Sequence, residues 1–261
     1  MLKYFDVESS KIACWVNGDN FGAHEQSLIF IHGSGGDYSA WSHQYAGLHK
    51  QYNLAAVDLP GHGNSEGSGK SDIESYCLWV KKLLDILPLQ NVILVGHSLG
   101  AAISLQFALN YPQKIQGIVT VGGGLKMPVN PAIFEFLKTN PVESIELICK
   151  FSVAKANREK FMAPLMKSLA DTRIDALQGD LSACDKFDVS PEISKISLKA
   201  LAICGAEDKM TPPDFSRQIA ESISGAKLCL IEGAGHMVMM ERPEEFNEAL
   251  NNFAFSMSKT V

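Results

Sequence analysis

The sequence predicts an α/β protein, a mostly parallel, doubly wound sheet with an inserted helical segment. Three observations carry this prediction. Short apolar runs recur and stop at glycine or proline, helix-length segments separate them, and the alternation breaks once, between Val121 and Lys199. Residues 27–31 are apolar after the serine and stop at His32-Gly33, and residues 54–58 stop at Pro60-Gly61. Residues 92–95 stop at Gly96, and residues 115–121 end at Gly122-Gly123-Gly124. Runs apolar on both faces suit parallel strands covered by helices on either side. The intervening segments 38–50, 72–87 and 99–110 are long enough for crossover helices. Strand, helix, strand in repetition builds a doubly wound sheet.

In the break, helical stretches rich in Phe, Leu, Ile and Met occupy 131–138, 143–151 and 158–170. A connection of that length is not a bare loop in a compact domain. The expected organisation is a core of residues 1–124 and 191–261 with residues 125–190 inserted as a helical cap. Phe134, Phe136, Phe151 and Phe161 are expected to form the core of that cap, with room for one or two of them to face the pocket instead. Alternation resumes with a strand at 200–204, a helix opening near Pro212-Pro213, a strand at 227–231 and a last helix from Pro243-Glu244-Glu245. Proline in a first turn loses no hydrogen bond, and acids there meet the positive end of the helix dipole. Residues 2–17 read as a two-strand antiparallel lead-in.

The 261 residues suit one α/β domain with an insertion, and 46% apolar with 20% charged residues is ordinary for a globular chain. The formal charge is −6 and the cations are scattered, which argues against nucleic acid or an anionic membrane as partner. The start, Met1-Leu2-Lys3-Tyr4-Phe5-Asp6, lacks the unbroken apolar run of a signal peptide, and no later run approaches the ~20 residues of a membrane span. The six cysteines are widely spaced without a C-x-x-C pair, and several sit in strand-like runs. They are expected to be reduced core residues of a cytoplasmic protein. Oligomeric state is left open.

Gly96-His97-Ser98-Leu99-Gly100 joins the run 92–95 to the helix 99–110. A G-x-S-x-G turn between strand and helix strains the serine backbone and lifts its hydroxyl above the sheet, beside a helix N-terminus. Three fixed positions at about 7% usage over about 260 windows give on the order of 0.1 chance matches, so placement between strand and helix is what raises the signal. A serine hydroxyl needs a base. His97 is adjacent, but neighbouring side chains point apart. His236, in Gly233-Ala234-Gly235-His236 after the last predicted strand, is placed to reach Ser98 over the carboxyl edge of the sheet. Asp208, in Gly205-Ala206-Glu207-Asp208 after the preceding strand, is the expected orienting acid, with Glu207 as near competitor. Two backbone N–H groups are needed for an oxyanion, and Leu99 and Ser34, the latter in His32-Gly33-Ser34-Gly35-Gly36, are the expected donors.

His-Gly-Ser-Gly-Gly at 32–36, Asp58-Leu59-Pro60-Gly61-His62-Gly63-Asn64-Ser65, Gly-His-Ser-Leu-Gly, Gly-Ala-Glu-Asp and Gly-Ala-Gly-His together resemble the α/β-hydrolase superfamily. They are similar to its capped carboxylesterase and lactonase-like branch, from about residue 27 to the C-terminus and most weakly in the cap. The order serine, aspartate, histidine matches that family. The resemblance implies the α/β-hydrolase fold and a catalytic triad of Ser98, Asp208 and His236 that works without a cofactor, and no H-E-x-x-H pair or clustered Cys/His set points to a metal. Ala101 stands where many members carry a second glycine, and the arginine of the menaquinone-pathway relatives is missing after the nucleophile. His32, His62 and Asp58 are expected to fix loops by hydrogen bonding. Met237, Met239 and Met240 either line an acyl pocket or fill core gaps.

The expected activity is hydrolysis of a small carboxylic ester through an acyl-enzyme, with a small-molecule partner carrying an apolar acyl or aryl part. The same triad also serves lactones, thioesters or the C–C bond of a diketone, though the proline that usually follows the His-Gly-Ser-Gly loop of C–C hydrolases is absent. A menaquinone-type lyase is disfavoured by the missing arginine. A ligand-sensing protein with very slow turnover is the alternative of another class. Two decoys fail by counting: Asn64 stands where a P-loop ending in Gly69-Lys70-Ser71 needs glycine, and Tyr38 where a dinucleotide fingerprint beginning at Gly33 needs one.

Overall fold

The structure is a computed structural model and describes residues 1–18 and 21–258. Strands β1 (Leu2–Val7) and β2 (Ser10–Val16) pair antiparallel as the lead-in. Strand β3 (Ser27–Ile31), helix α1 (Ser42–Leu48), strand β4 (Asn53–Val57), helix α2 (Ile73–Ile86), strand β5 (Val92–His97), helix α3 (Leu99–Asn110) and strand β6 (Gly117–Val121) follow. Helices α4 (Pro131–Thr139), α5 (Pro141–Ser152), α6 (Arg158–Leu169) and α7 (Ile174–Lys186) come next. Strand β7 (Lys199–Gly205), helix α8 (Pro213–Ser222), strand β8 (Lys227–Ile231), helix α9 (Val238–Glu241) and helix α10 (Pro243–Ser258) close the chain.

The sheet order is β1-β2-β4-β3-β5-β6-β7-β8. β2 meets β4 antiparallel, and every pairing from β4 to β8 is parallel. β3, β4, β5 and β6 are buried along their whole length, as continuous apolar runs require. Successive side chains divide between two cores. Ile29, Ile31 and Leu94 pack with Tyr76 and Val80 of α2 and Ile103 and Phe107 of α3. Leu28, Phe30, Ile93 and Val95 pack with Tyr45 of α1 and Phe246 and Leu250 of α10. The period of two along a strand thus becomes two helix-covered faces. The chain leaves β3 toward β4 on one side and continues from β5 toward β6 on the other. The carboxyl ends of β3 and β5 therefore flank a topological switch point, where open α/β sheets place their sites.

Helix starts follow their capping chemistry. Asp72 accepts the Ser75 N–H at 2.7 Å to open α2, and α10 begins with Pro243, Glu244 and Glu245. The helix predicted at 38–50 is split: Asp37 accepts the Ser39 N–H at 2.7 Å and winds Tyr38–Trp41 into a 3-10 turn before α1.

Residues between β6 and β7 leave and return at one place. Lys126 and Asp188 form an antiparallel bridge with an ion pair at 2.9 Å, and Val189 N–H donates to Leu125 O at 3.0 Å. Cys149, Val153, Phe161 and Leu165 form a small core of their own. Of the four phenylalanines expected there, Phe161 belongs to this core and Phe134 is half-buried, whereas Phe136 is 36% and Phe151 42% exposed, which corrects the core reading for those two. Met239 is fully buried in the sheet core, while Met237 and Met240 bridge that core and the helical one.

Among the described residues no helix is long and apolar enough to cross a membrane. All six cysteines are free, five of them buried and Cys229 partly so.

Candidate active site

Ser98 sits between β5 and α3 with φ 52° and ψ −111°, a left-handed strain that serine rarely adopts. Its N–H donates to Val121 O at 2.9 Å, and its carbonyl accepts Ala101 N–H at 2.8 Å to open α3. The flanking glycines are a matter of space. A Cβ on Gly96 would run into the Gly100 carbonyl, and one on Gly100 into the Ile31 carbonyl. On the other side a Cβ on Gly33 would come within 3.2 Å of Ser98 Cβ, so the loop after β3 lies directly against the serine.

His236 and Asp208 leave β8 and β7 and meet in the interior, His236 Nδ1 donating to Asp208 Oδ2 at 2.8 Å. Both are buried, 3% and 4% exposed. Asp208 Oδ1 also accepts the N–H groups of Met210 at 2.9 Å and Thr211 at 3.0 Å. Burial pushes the Asp208 carboxyl up, but the neighbouring imidazole and these donors outweigh it and hold it below its usual 3.8. With Nδ1 bound to the carboxylate, Nε2 is the ring nitrogen left to accept a proton. Gly122 joins the parts: a Cβ there would lie 2.9 Å from His236 Nδ1 and 3.2 Å from Asp208 Oδ2, one residue beyond the Val121 carbonyl that holds Ser98. The Ser98 hydroxyl makes no hydrogen bond to the imidazole among the described residues. Such bonds often tighten only in the substrate complex.

His97 donates from Nε2 to His236 O at 3.1 Å. Burial and the neighbouring His236 hold it well below 6.5, hence neutral. Glu207 is not the partner of the imidazole, and its N–H donates to Ala234 O at 2.9 Å.

Leu99 N–H, at the first helical position, and Ser34 N–H donate to no acceptor among the described residues, and both flank Ser98. Ser34 occupies a turn closed by Gly36 N–H to Gly33 O at 3.0 Å, with Gly35 at φ 67° as a type II turn requires. His32 supports that turn. Its Nδ1 donates to Gly33 O at 2.8 Å and its Nε2 accepts Leu59 N–H at 3.0 Å, and burial lowers its pKa to about 3. Asp58 fixes loops as expected, accepting Tyr38 N–H at 2.7 Å and Asn64 N–H at 2.8 Å, its own pKa pushed up to about 6 by burial.

Three polar residues at the site escaped the sequence reading. Thr211 Oγ1 lies 3.0 Å from Asp208 Oδ2, 3.1 Å from His236 Nδ1 and 2.8 Å from Gly122 O. Asp180 of α7, fully buried, accepts Gly35 N–H at 2.8 Å, His62 Nε2 at 2.8 Å and the Tyr76 hydroxyl at 2.5 Å. Glu241 of α9 accepts Gly235 N–H at 2.8 Å beside His236, and Ala154 N–H at 2.9 Å and Asn157 Nδ2 at 2.7 Å after α5. A polar side chain outside a recognised motif gives no local signal of such partners.

The alpha/beta hydrolase family model matches residues 28–249. A thermophilic esterase of solved structure is 31% identical, the alignment covering 98% of this chain and 99% of that one with a TM-score of 0.85. The enol-lactonase of Burkholderia xenovorans shares the fold at 22% identity and a TM-score of 0.90, over 97% of this chain and 100% of that one. A 2-hydroxy-6-oxononadienedioate/2-hydroxy-6-oxononatrienedioate hydrolase of Paraburkholderia phymatum is 25% identical over 96% of this chain and 94% of its own. The chain belongs to the alpha/beta hydrolase family.

Proposed function

We propose that the protein is a serine hydrolase that cleaves a small, uncharged carboxylic ester through an acyl-enzyme. The observation that carries this is the convergence, at one sheet edge, of a strained Ser98, a buried Asp208–His236 bond and two unclaimed N–H groups. Ser98 attacks the ester carbonyl as His236 Nε2 takes its proton. Asp208 holds the ring with Nε2 free and stabilises its charged form. Leu99 and Ser34 N–H bind the oxyanion, and the imidazolium then protonates the leaving alcohol. Water attacks the acyl-enzyme by the same route and frees the acid. Residues 125–190, helices α4 to α7, act as a cap over a core of residues 1–124 and 191–261.

The Paraburkholderia relative acts on a dicarboxylate, which favours a second reading in which the triad cleaves a C–C bond. Against it, no lysine or arginine is buried among the described residues. An enclosed substrate carboxylate needs such a partner or carries a desolvation cost.

The test is hydrolysis of short p-nitrophenyl esters by wild type and Ser98→Ala. Turnover that falls at least about 10³-fold in the variant supports the reading. Undiminished turnover in Ser98→Ala, or turnover confined to a diketone acid, rejects it.

A further inference from the structure

We propose that the inserted helices set the oxyanion hole: Asp180 of α7, together with Thr172 just before it, holds Gly35 and thereby the Ser34 N–H, which makes Asp180 a positioning residue. The inference rests on the assignment of Ser34 as an oxyanion donor.

The turn at 33–36 carries glycine at three of four positions, so its backbone is costly to order and needs outside restraint. Three successive peptide groups receive it. The Gly33–Ser34 peptide, which carries the donor N–H, has its carbonyl held by His32 Nδ1 at 2.8 Å and Gly36 N–H at 3.0 Å. The next peptide gives its Gly35 N–H to Asp180 Oδ2 at 2.8 Å. The third has its Gly35 carbonyl held by Thr172 Oγ1 at 2.7 Å. The first restraint comes from the sheet domain and the other two from the inserted segment. Packing repeats the pattern, since a Cβ on Gly35 would meet Thr172 Cγ2 at 3.0 Å and Leu177 Cδ1 at 3.1 Å.

A carboxylate near an oxyanion site would oppose the developing charge if it stood alone. Here it does not. His62 Nε2 donates to Asp180 Oδ2 at 2.8 Å, and His62 Nδ1 faces the Pro60 carbonyl at 3.1 Å. Both partners are acceptors, so both ring nitrogens carry hydrogen and the ring is an imidazolium. Asp180 is thereby a strong acceptor within a neutral pair. A loss of its bond to Gly35 releases the turn that presents Ser34 N–H, and donor placement matters only as charge develops on the substrate oxygen.

Asp180→Asn keeps the volume and Thr172→Val removes only the hydroxyl, while Thr172→Ser restores it. With p-nitrophenyl butyrate, kcat is expected to fall about 10- to 100-fold in Asp180→Asn and about 3- to 10-fold in Thr172→Val, with KM within about twofold. Thr172→Ser should return to within about twofold of wild type. Affinity for a trifluoromethyl ketone analogue should fall by the same factors as kcat. Should Asp180→Asn fail to fold, the Thr172 pair decides alone. Wild-type kcat in folded Asp180→Asn or in Thr172→Val, while Ser98→Ala is inactive, overturns this proposal and leaves the triad standing. Turnover that survives in Ser98→Ala overturns both.

Discussion

At the scale of single residues, Ser98 is held away from ordinary serine backbone geometry. The serine keeps φ 52° because β6 takes its N–H and α3 starts on its carbonyl, so the strain is maintained by bonds on both sides. Thr211 does for the Asp208–His236 pair what β6 does for the serine. Its hydroxyl faces two acceptors, the Gly122 carbonyl at 2.8 Å and Asp208 Oδ2 at 3.0 Å, and lies 3.1 Å from His236 Nδ1. Thr211→Val removes those bonds at nearly constant volume. We expect kcat for a p-nitrophenyl ester to fall about 10-fold, equivalent to ~1.4 kcal/mol in the barrier, with KM little changed. An unchanged kcat would show that backbone donors alone orient the pair. The motif residues were legible because glycine spacing at 96 and 100 and the strand ends before 208 and 236 are local features. Thr211 was not, because a threonine three residues after an aspartate has many fates and only the fold decides this one.

At the scale of elements, α7 is the part that sequence pattern conceals. Its buried face carries Ala176, Leu177, Ala183 and Cys184, but Gly179 and Asp180 interrupt the apolar stripe, so periodicity gave no separate helix there. The strands read more clearly, since a buried run such as Ser27–Ile31 is continuous and stops at His32-Gly33. Asp180 makes α7 pH-sensitive through His62. Burial pushes that imidazole toward its neutral form, but the bond and charge of Asp180 outweigh it and raise the pKa above 6.5. The other groups facing the ring are Asp58, whose charge also raises its pKa, His32 at 5.0 Å between ring centres, and Tyr76 through Asp180. A raised folded-state pKa contributes stability that is complete below 6.5 and is lost as pH rises through the folded value. The melting temperature of wild type should therefore exceed that of His62→Gln most at about pH 5.5 to 6, with the gap narrowing toward about pH 9. Parallel curves across that range would contradict a charged His62.

Across the whole molecule, buried carboxylates join the helices between β6 and β7 to loops of the proposed site. Asp180 ties α7 to the oxyanion turn, and Glu241 ties the loop after α5 to the residue before His236. The charge distribution adds a substrate preference. The chain is net negative by 6, and its buried polar set among the described residues holds carboxylates and histidines without lysine or arginine. An ester whose acyl chain ends in a carboxylate is therefore expected to show kcat/KM at least about 10-fold below its neutral isostere. Equal values would indicate a cation at the rim that receives the acid.

The central claim, that Ser98 is the nucleophile activated by His236, is tested most directly by covalent labelling. Intact wild-type protein and Ser98→Ala would be treated with a fluorophosphonate, digested, and mapped by mass spectrometry. The account predicts one adduct, on the peptide carrying Ser98, formed by wild type and absent from the variant. A folded wild-type protein that forms no adduct, or forms one elsewhere that persists in Ser98→Ala, would contradict it.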